Sequence, residues 1–334
     1  MPYQHAVLLI LSHHEAQMAT KLHKNGKLLL TGEYAVLDGA LALAIPTKFG
    51  QTFHIEQHQN SESLVWQAFD DTAKLWFEAE LNLVLCEIIS TNDQDLAQAL
   101  LKVLNAALGL NPDFIHQTLG TRVESRLDFP RTWGLGSSST LIAAVAQWSA
   151  TDPFNLSSMS FGGSGYDVAA ANMAQAFTYK IGHLAVEVNP VTINWPFKEH
   201  LYFIHRNQKQ NSRESITDYR KKTTSTGWIQ EITALTQAII GAQSAGEFAK
   251  LIQQHEQMIA KTLGVPPIKE ELFSDFPGVI KSLGGWGGDF IMALGPEVAN
   301  KSKALMASDQ TVAYFNAKGY QTVIAYNDMI LTDF

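Results

Sequence analysis

The sequence predicts an α+β protein, built in layers and without a regular βαβ alternation. Two observations carry that prediction. Short strand-like runs crowd the first part of the chain, and the later third switches between long amphipathic helices and short apolar strands. There is no internal repeat and no low-complexity linker.

In chain order, Lys27–Thr31 reads as a short buried strand, and Ala40–Ile45 as a second apolar run after the turn at Asp38-Gly39. Gln51–Gln57 and Leu64–Ala68 read as strands of a meander with polar turns between them. Leu96–Leu108 has apolar residues at helical spacing and ends at Gly109, as a C-cap would. Thr118–Leu127 alternates like a strand. Thr140–Trp148 follows three serines able to cap a helix, and Val168–Phe177 reads as a second helix after a glycine-rich turn. Later come a strand at Leu201–His205 and helices at Trp228–Gly241 and Gly246–Leu263, separated at Ser244. Val265-Pro266-Pro267 breaks the chain. A strand at Phe290–Leu294, a helix at Glu297–Met306 and a strand at Gln321–Tyr326 complete the reading.

Composition narrows the function. With 334 residues, 46% hydrophobic and 17% charged, the chain can bury a sizeable core in one large domain or two ordinary ones. A formal net charge of -8 argues against a nucleic-acid partner, and Arg220-Lys221-Lys222 is too short a basic run to reverse that. An acidic protein that binds anions must do so with local backbone donors. The single cysteine, Cys86, rules out a disulfide framework and fits a reducing cytoplasm; inside Leu81–Ile89 it reads as a small buried hydrophobe. His255-Glu256 opens an HExxH-like string, but Ile259 stands where the second histidine is needed. Ala6–Leu11 is too short to span a membrane and lacks the flanks of a signal peptide. A second methionine, Met18, precedes the first informative motif, so residues 1–17 are expected to be a dispensable extension.

Four glycine-rich segments remain. Gly26–Gly39 places Lys27 at the start of a strand and Glu33 at its end, where the two could flank one ligand or simply mark a strand and turn. Pro130–Ser139 ends in Gly134-Leu135-Gly136-Ser137-Ser138-Ser139, directly before a helix. Its spaced glycines and successive N–H groups at a helix N-terminus make an anion cradle, and the serine hydroxyls can ligate magnesium. The lysine of a GxxxxGK[ST] loop is missing, and Ser139 replaces the last glycine of GxGxxG, so neither common nucleotide fingerprint is present. Gly162–Ala170 delivers Asp167 to the start of an alanine-rich helix, where it could equally be an N-cap. Gly284-Gly285-Trp286-Gly287-Gly288-Asp289 precedes an apolar strand, with enough glycine to suggest close backbone approach.

Together and in this order, GKLLLTGEYAVLDG, GLGSSS, SGYDVAA and GGWGGD resemble the motifs of the GHMP kinase superfamily, and most nearly its mevalonate and phosphomevalonate kinase branch. The resemblance implies a fold of two parts, one like a ribosomal-S5 domain at 18–190 and one ferredoxin-like at 191–334, with the boundary near 185–200. It implies ATP and Mg²⁺, and a small-molecule acceptor. Lys27 and Asp167 would be catalytic, Gly134, Leu135, Gly136, Ser137, Ser138 and Ser139 would wrap the phosphates, and Ser138 would also ligate the metal. Glu33, Gly285, Gly287 and Gly288 would shape the site. The activity implied is phosphorylation of mevalonate in isoprenoid precursor synthesis. Phosphomevalonate kinase, mevalonate diphosphate decarboxylase and a non-catalytic ligand sensor are the alternatives. Two departures stand out. No glutamate occurs in 152–160, where mevalonate kinases carry a magnesium ligand, and Trp286 stands where a small residue is usual.

Overall fold

The computed structural model describes residues 19–57, 61–182, 185–208, 212–286, 288–296 and 310–331. The helix expected at Glu297–Met306 and the extension 1–17 lie outside these residues. Two sheets organise the rest. The first has eight strands, in the order Glu87–Thr91, Leu75–Asn82, Leu64–Phe69, Thr121–Leu127, Ala42–Gln57, Phe177–Ile181 and Val186–Pro190, with Ala19–Thr31 also paired to Ala42–Gln57. The second has four, in the order Val279–Ser282, Phe290–Leu294, Leu201–His205 and Val323–Ala325.

β1 (Ala19–Thr31) and β2 (Ala42–Gln57) form a long antiparallel pair. The runs Ala40–Ile45 and Gln51–Gln57 are therefore parts of one strand. β3 (Leu64–Phe69), β4 (Leu75–Asn82) and β5 (Glu87–Thr91) continue the sheet, and β6 (Thr121–Leu127) lies between β3 and β2. Cys86 corrects an expectation. It is exposed in the β4–β5 turn with φ 56°, because the apolar run around it is interrupted by the reversal of the chain.

Helix α1 (Gln94–Leu110) is capped by Asp93, whose carboxylate accepts the Leu96 amide at 3.1 Å. Gly109 lies inside its last turn, and Asn111 is the C-cap. The turn α2 (Ile115–Thr118) leads into β6, and α3 (Ser137–Trp148) takes its three serines into its first turn. α4 (Pro153–Ser160) follows. The helix expected over Val168–Phe177 is only α5 (Tyr166–Ala170), because Phe177 opens strand β7 (Phe177–Ile181) and pairs with Ala44 of β2. β8 (Val186–Pro190) completes this sheet.

β9 (Leu201–His205) begins the second sheet, followed by α6 (Ser212–Tyr219), α7 (Thr226–Ile240) and α8 (Ala245–Leu263). Ser244 caps α8, accepting the Glu247 amide at 3.2 Å. After α9 (Ile268–Leu272) come β10 (Val279–Ser282), β11 (Phe290–Leu294) and β12 (Val323–Ala325). One apolar cluster fills the space between the first sheet and α1, α3 and α4. A second joins the two sheets: Leu28, Leu43, Phe129 and Leu135 pack with Phe203, Phe248, Phe290 and Met292. That shared core fixes the glycine-rich segments of both halves against one another.

Candidate active site

The loop before α3 has the geometry of an anion cradle. Gly136 is the helix N-cap with φ 94°, a region that glycine enters without steric cost. A β-carbon there would lie 2.7 Å from the Ser139 hydroxyl oxygen. Among the described residues, the amides of Leu135, Gly136, Ser137 and Ser138 donate to no acceptor in the fold. Unsatisfied donors at the positive end of a helix dipole suit an anion. The serines divide their roles. Ser139 is buried and donates back to the Gly136 carbonyl at 2.8 Å, whereas Ser138 is exposed and so open to a ligand.

Lys27 lies beside this loop. Its backbone amide donates to the Leu135 carbonyl at 3.0 Å, and its Nζ donates to the Gly134 carbonyl at 3.1 Å. Burial pushes the ammonium's pKa down, but Tyr166, Asp167 and Asp289 together outweigh it, so the group stays firmly charged. Asp167 is not an N-cap: Gly165 is, and Asp167 is the second residue of α5. Its carboxylate accepts the Val168 amide at 3.0 Å. Burial raises its pKa, while Lys27 and the nearby amide hydrogens pull it back. The Lys27 ammonium and the Asp167 carboxylate thus attract each other beside the donor loop.

Glu33 is deeper than its motif suggested. It is 1% exposed and paired with Lys281 of β10, which is 0% exposed. His255 of α8 accepts the Gly32 amide at 3.0 Å on Nε2, and that nitrogen lies 3.6 Å from Glu33 Oε2. Burial raises Glu33 to about 7 against the pull of Lys281, and it keeps His255 neutral with a pKa well below the usual range. Glu256, also buried, accepts the Ser282 amide at 3.0 Å and the Ser282 hydroxyl at 2.9 Å. This buried cluster ties the end of β1 to the second sheet.

The fourth segment closes on the loop from the other half. Gly285 accepts the Ser215 hydroxyl at 3.1 Å, Gly288 is buried beside Asp289, and Gly287 lies outside the described residues. Sequence reasoning missed Lys281, Tyr34 and Tyr166, and weighed His255 only as a metal ligand. Lys281 alone carried a signal, a lone charge inside the apolar strand that precedes the glycines. Tyr34, with φ 61°, stacks on Tyr219 with ring centroids 5.2 Å apart. A separate cavity of about 450 Å³ is lined by Gln253, Lys269, Glu270 and their neighbours, and includes none of the four glycine-rich segments. No group of three potential metal-ligating side chains occurs among the described residues. A hard cation here would therefore take part of its oxygen shell from phosphate and water, which is how magnesium is commonly held. No helix among them is long and apolar enough to cross a membrane.

Two sheets sharing one core give this chain the α+β fold of solved GHMP kinase structures. No protein-family model and no curated protein matches the chain. Solved structures do, over nearly its full length. Mevalonate kinase from Methanococcus jannaschii aligns with a TM-score of 0.66 at 16% identity, covering 96% of this chain and 100% of that one. Streptococcus pneumoniae phosphomevalonate kinase, in complex with phosphomevalonate and AMPPNP, aligns at 0.64 and 15% identity over 87% and 96%. Lactococcus lactis galactokinase, complexed with galactose, aligns at 0.62 and 12% identity over 94% of each chain.

Proposed function

We propose that this protein is an ATP- and magnesium-dependent kinase that phosphorylates a hydroxyl of a small metabolite, with mevalonate as the acceptor. The observation that carries the reading is the set of four unsatisfied loop amides beside Lys27, whose Nζ bonds the Gly134 carbonyl and whose ammonium is attracted by Asp167. Phosphoryl transfer needs in-line placement and neutralised charge more than covalent help. The amides of 135–138 hold the donor phosphates in place. Lys27, bonded to the Gly134 carbonyl, offsets the charge that develops on the transferred group. Asp167 takes the proton of the acceptor hydroxyl, and burial moves its pKa in the direction that favours a base. The exposed Ser138 hydroxyl would help to hold magnesium, which would supply charge neutralisation and orientation.

The assignment of the acceptor is supported by the alkoxide chemistry that a lysine–aspartate pair suits. A phosphate acceptor is already an anion and needs no base. The test is ADP release with mevalonate, phosphomevalonate, homoserine and galactose as acceptors. Turnover with mevalonate is expected. Turnover of phosphomevalonate alone would replace the acceptor and keep the kinase, whereas carbon dioxide release would identify a decarboxylase. No ADP with any acceptor, together with tight nucleotide binding, would favour a ligand sensor.

A further inference from the structure

Asp289 is the residue that the loop and the lysine–aspartate pair leave without a role. It is 8% exposed and has φ 50°, a region that a non-glycine residue seldom takes. Its backbone is held on both sides: its amide donates to the Gln208 carbonyl at 2.8 Å, and its carbonyl accepts the Arg206 amide at 2.8 Å. These bonds extend the β9–β11 pairing just past the Phe290–His205 step. The carboxylate is pressed onto the loop before α3. Gly134, with φ 64°, has its α-carbon against it, and a β-carbon at 134 would overlap the carboxylate itself. Gly134 in turn accepts from Lys27, whose ammonium is attracted by both Asp167 and Asp289. One acid from each half therefore attracts the same lysine at the edge of the donor loop.

A buried acid in that place conflicts with a bare polyphosphate and suits one that carries a divalent cation. The helix before Asp167 offers no alternative ligand: α4 has no acidic residue, and Asp152 at its start accepts the Asn155 amide at 2.8 Å as an N-cap. Magnesium is commonly held by one or two carboxylates together with phosphate oxygens.

We propose that Asp289 is the carboxylate through which the nucleotide site recruits its divalent cation, so that the site accepts the metal–nucleotide complex and discriminates against the free polyanion. The proposal rests on the kinase reading above. It is tested by measuring AMPPNP binding calorimetrically in excess Mg²⁺ and in EDTA, on the full chain and on Asp289→Asn. Wild type is expected to bind at least tenfold more tightly with Mg²⁺. In Asp289→Asn that ratio should fall several-fold, with weaker binding in Mg²⁺ and tighter binding in EDTA. Asparagine keeps the size and tolerates the positive φ. Asp289→Gly, which removes the carboxylate and favours the same backbone, should show the same fall and serves if the first variant melts early. An unchanged Mg²⁺-to-EDTA ratio in a folded variant overturns the role of Asp289 and leaves the kinase reading standing. Wild type that binds no AMPPNP in either condition overturns the kinase reading and this proposal with it.

Discussion

Asp167 and Gly136 make the residue-scale tests. A hydroxyl acceptor must lose its proton during transfer, and general-base help is worth about 10²–10⁴ in rate. Asp167→Asn is therefore expected to lower kcat with mevalonate within about that range. The KM for ATP should hardly move, because the donor loop is untouched. Steady-state kinetics with each substrate varied in turn checks this, and a KM effect without a kcat effect would contradict it. Gly136→Val should abolish nucleotide binding, since a branched residue cannot take φ 94° and its β-carbon would crowd the Ser139 hydroxyl. Calorimetric titration of the folded variant with AMPPNP is the measurement, and unchanged affinity would remove the loop from the site.

At the scale of elements, the Glu33–Lys281 pair joins the end of β1 to β10. Both groups are almost wholly buried, so removing one leaves a charge without its partner, at a cost of about 3–5 kcal/mol. Lys281→Met should lower the melting temperature sharply, and the double variant Glu33→Leu/Lys281→Met should recover much of the loss. A double variant no better than the single one would show that the pair does not act as a unit. The cluster also sets a pH response. Glu33 is raised in the folded state from 4.5 to about 7, so its contribution to stability is full below pH 4.5 and is lost as pH rises through about 7. His255 is depressed, so its contribution is present above 6.5 and is lost as pH falls below that value. The two offset each other. Glu33→Gln removes the first, so between pH 7 and 5 its melting temperature should fall more steeply on acidification than that of wild type. Parallel curves would show that Glu33 does not titrate there.

For the whole molecule, the core shared by the two sheets makes one cooperative unit. Phe248 is 0% exposed and packs on Trp195 at 4.8 Å and Phe197 at 4.9 Å, inside the cluster that also holds Leu28 and Leu43 of the first sheet. Phe248→Ala should cost about 3–5 kcal/mol and lower a single calorimetric transition. Two resolved transitions, only one of them shifted, would show that the halves unfold separately.

Much of this was legible in the sequence. Strands β3, β9 and β11 and helices α7 and α8 follow from local alternation or helical period bounded by turn residues, which are properties of neighbours along the chain. The donor loop was legible too, because glycines and serines before a helix create free amides wherever the rest of the chain lies. Other features were decided only by the tertiary structure. Val168–Phe177 has helical composition, yet Phe177 gains more by pairing with Ala44 across β2 than by extending a five-residue helix. Cys86 sits in an apolar run, but the reversal between β4 and β5 turns it outward. Glu33 is 248 residues from Lys281 and Gly134 is 155 from Asp289, separations that no local pattern encodes. The sequence determined which segments could carry a charge or a free amide. Burial in a shared core decided which of them meet, because only there does leaving a charge unpartnered cost enough to select one arrangement.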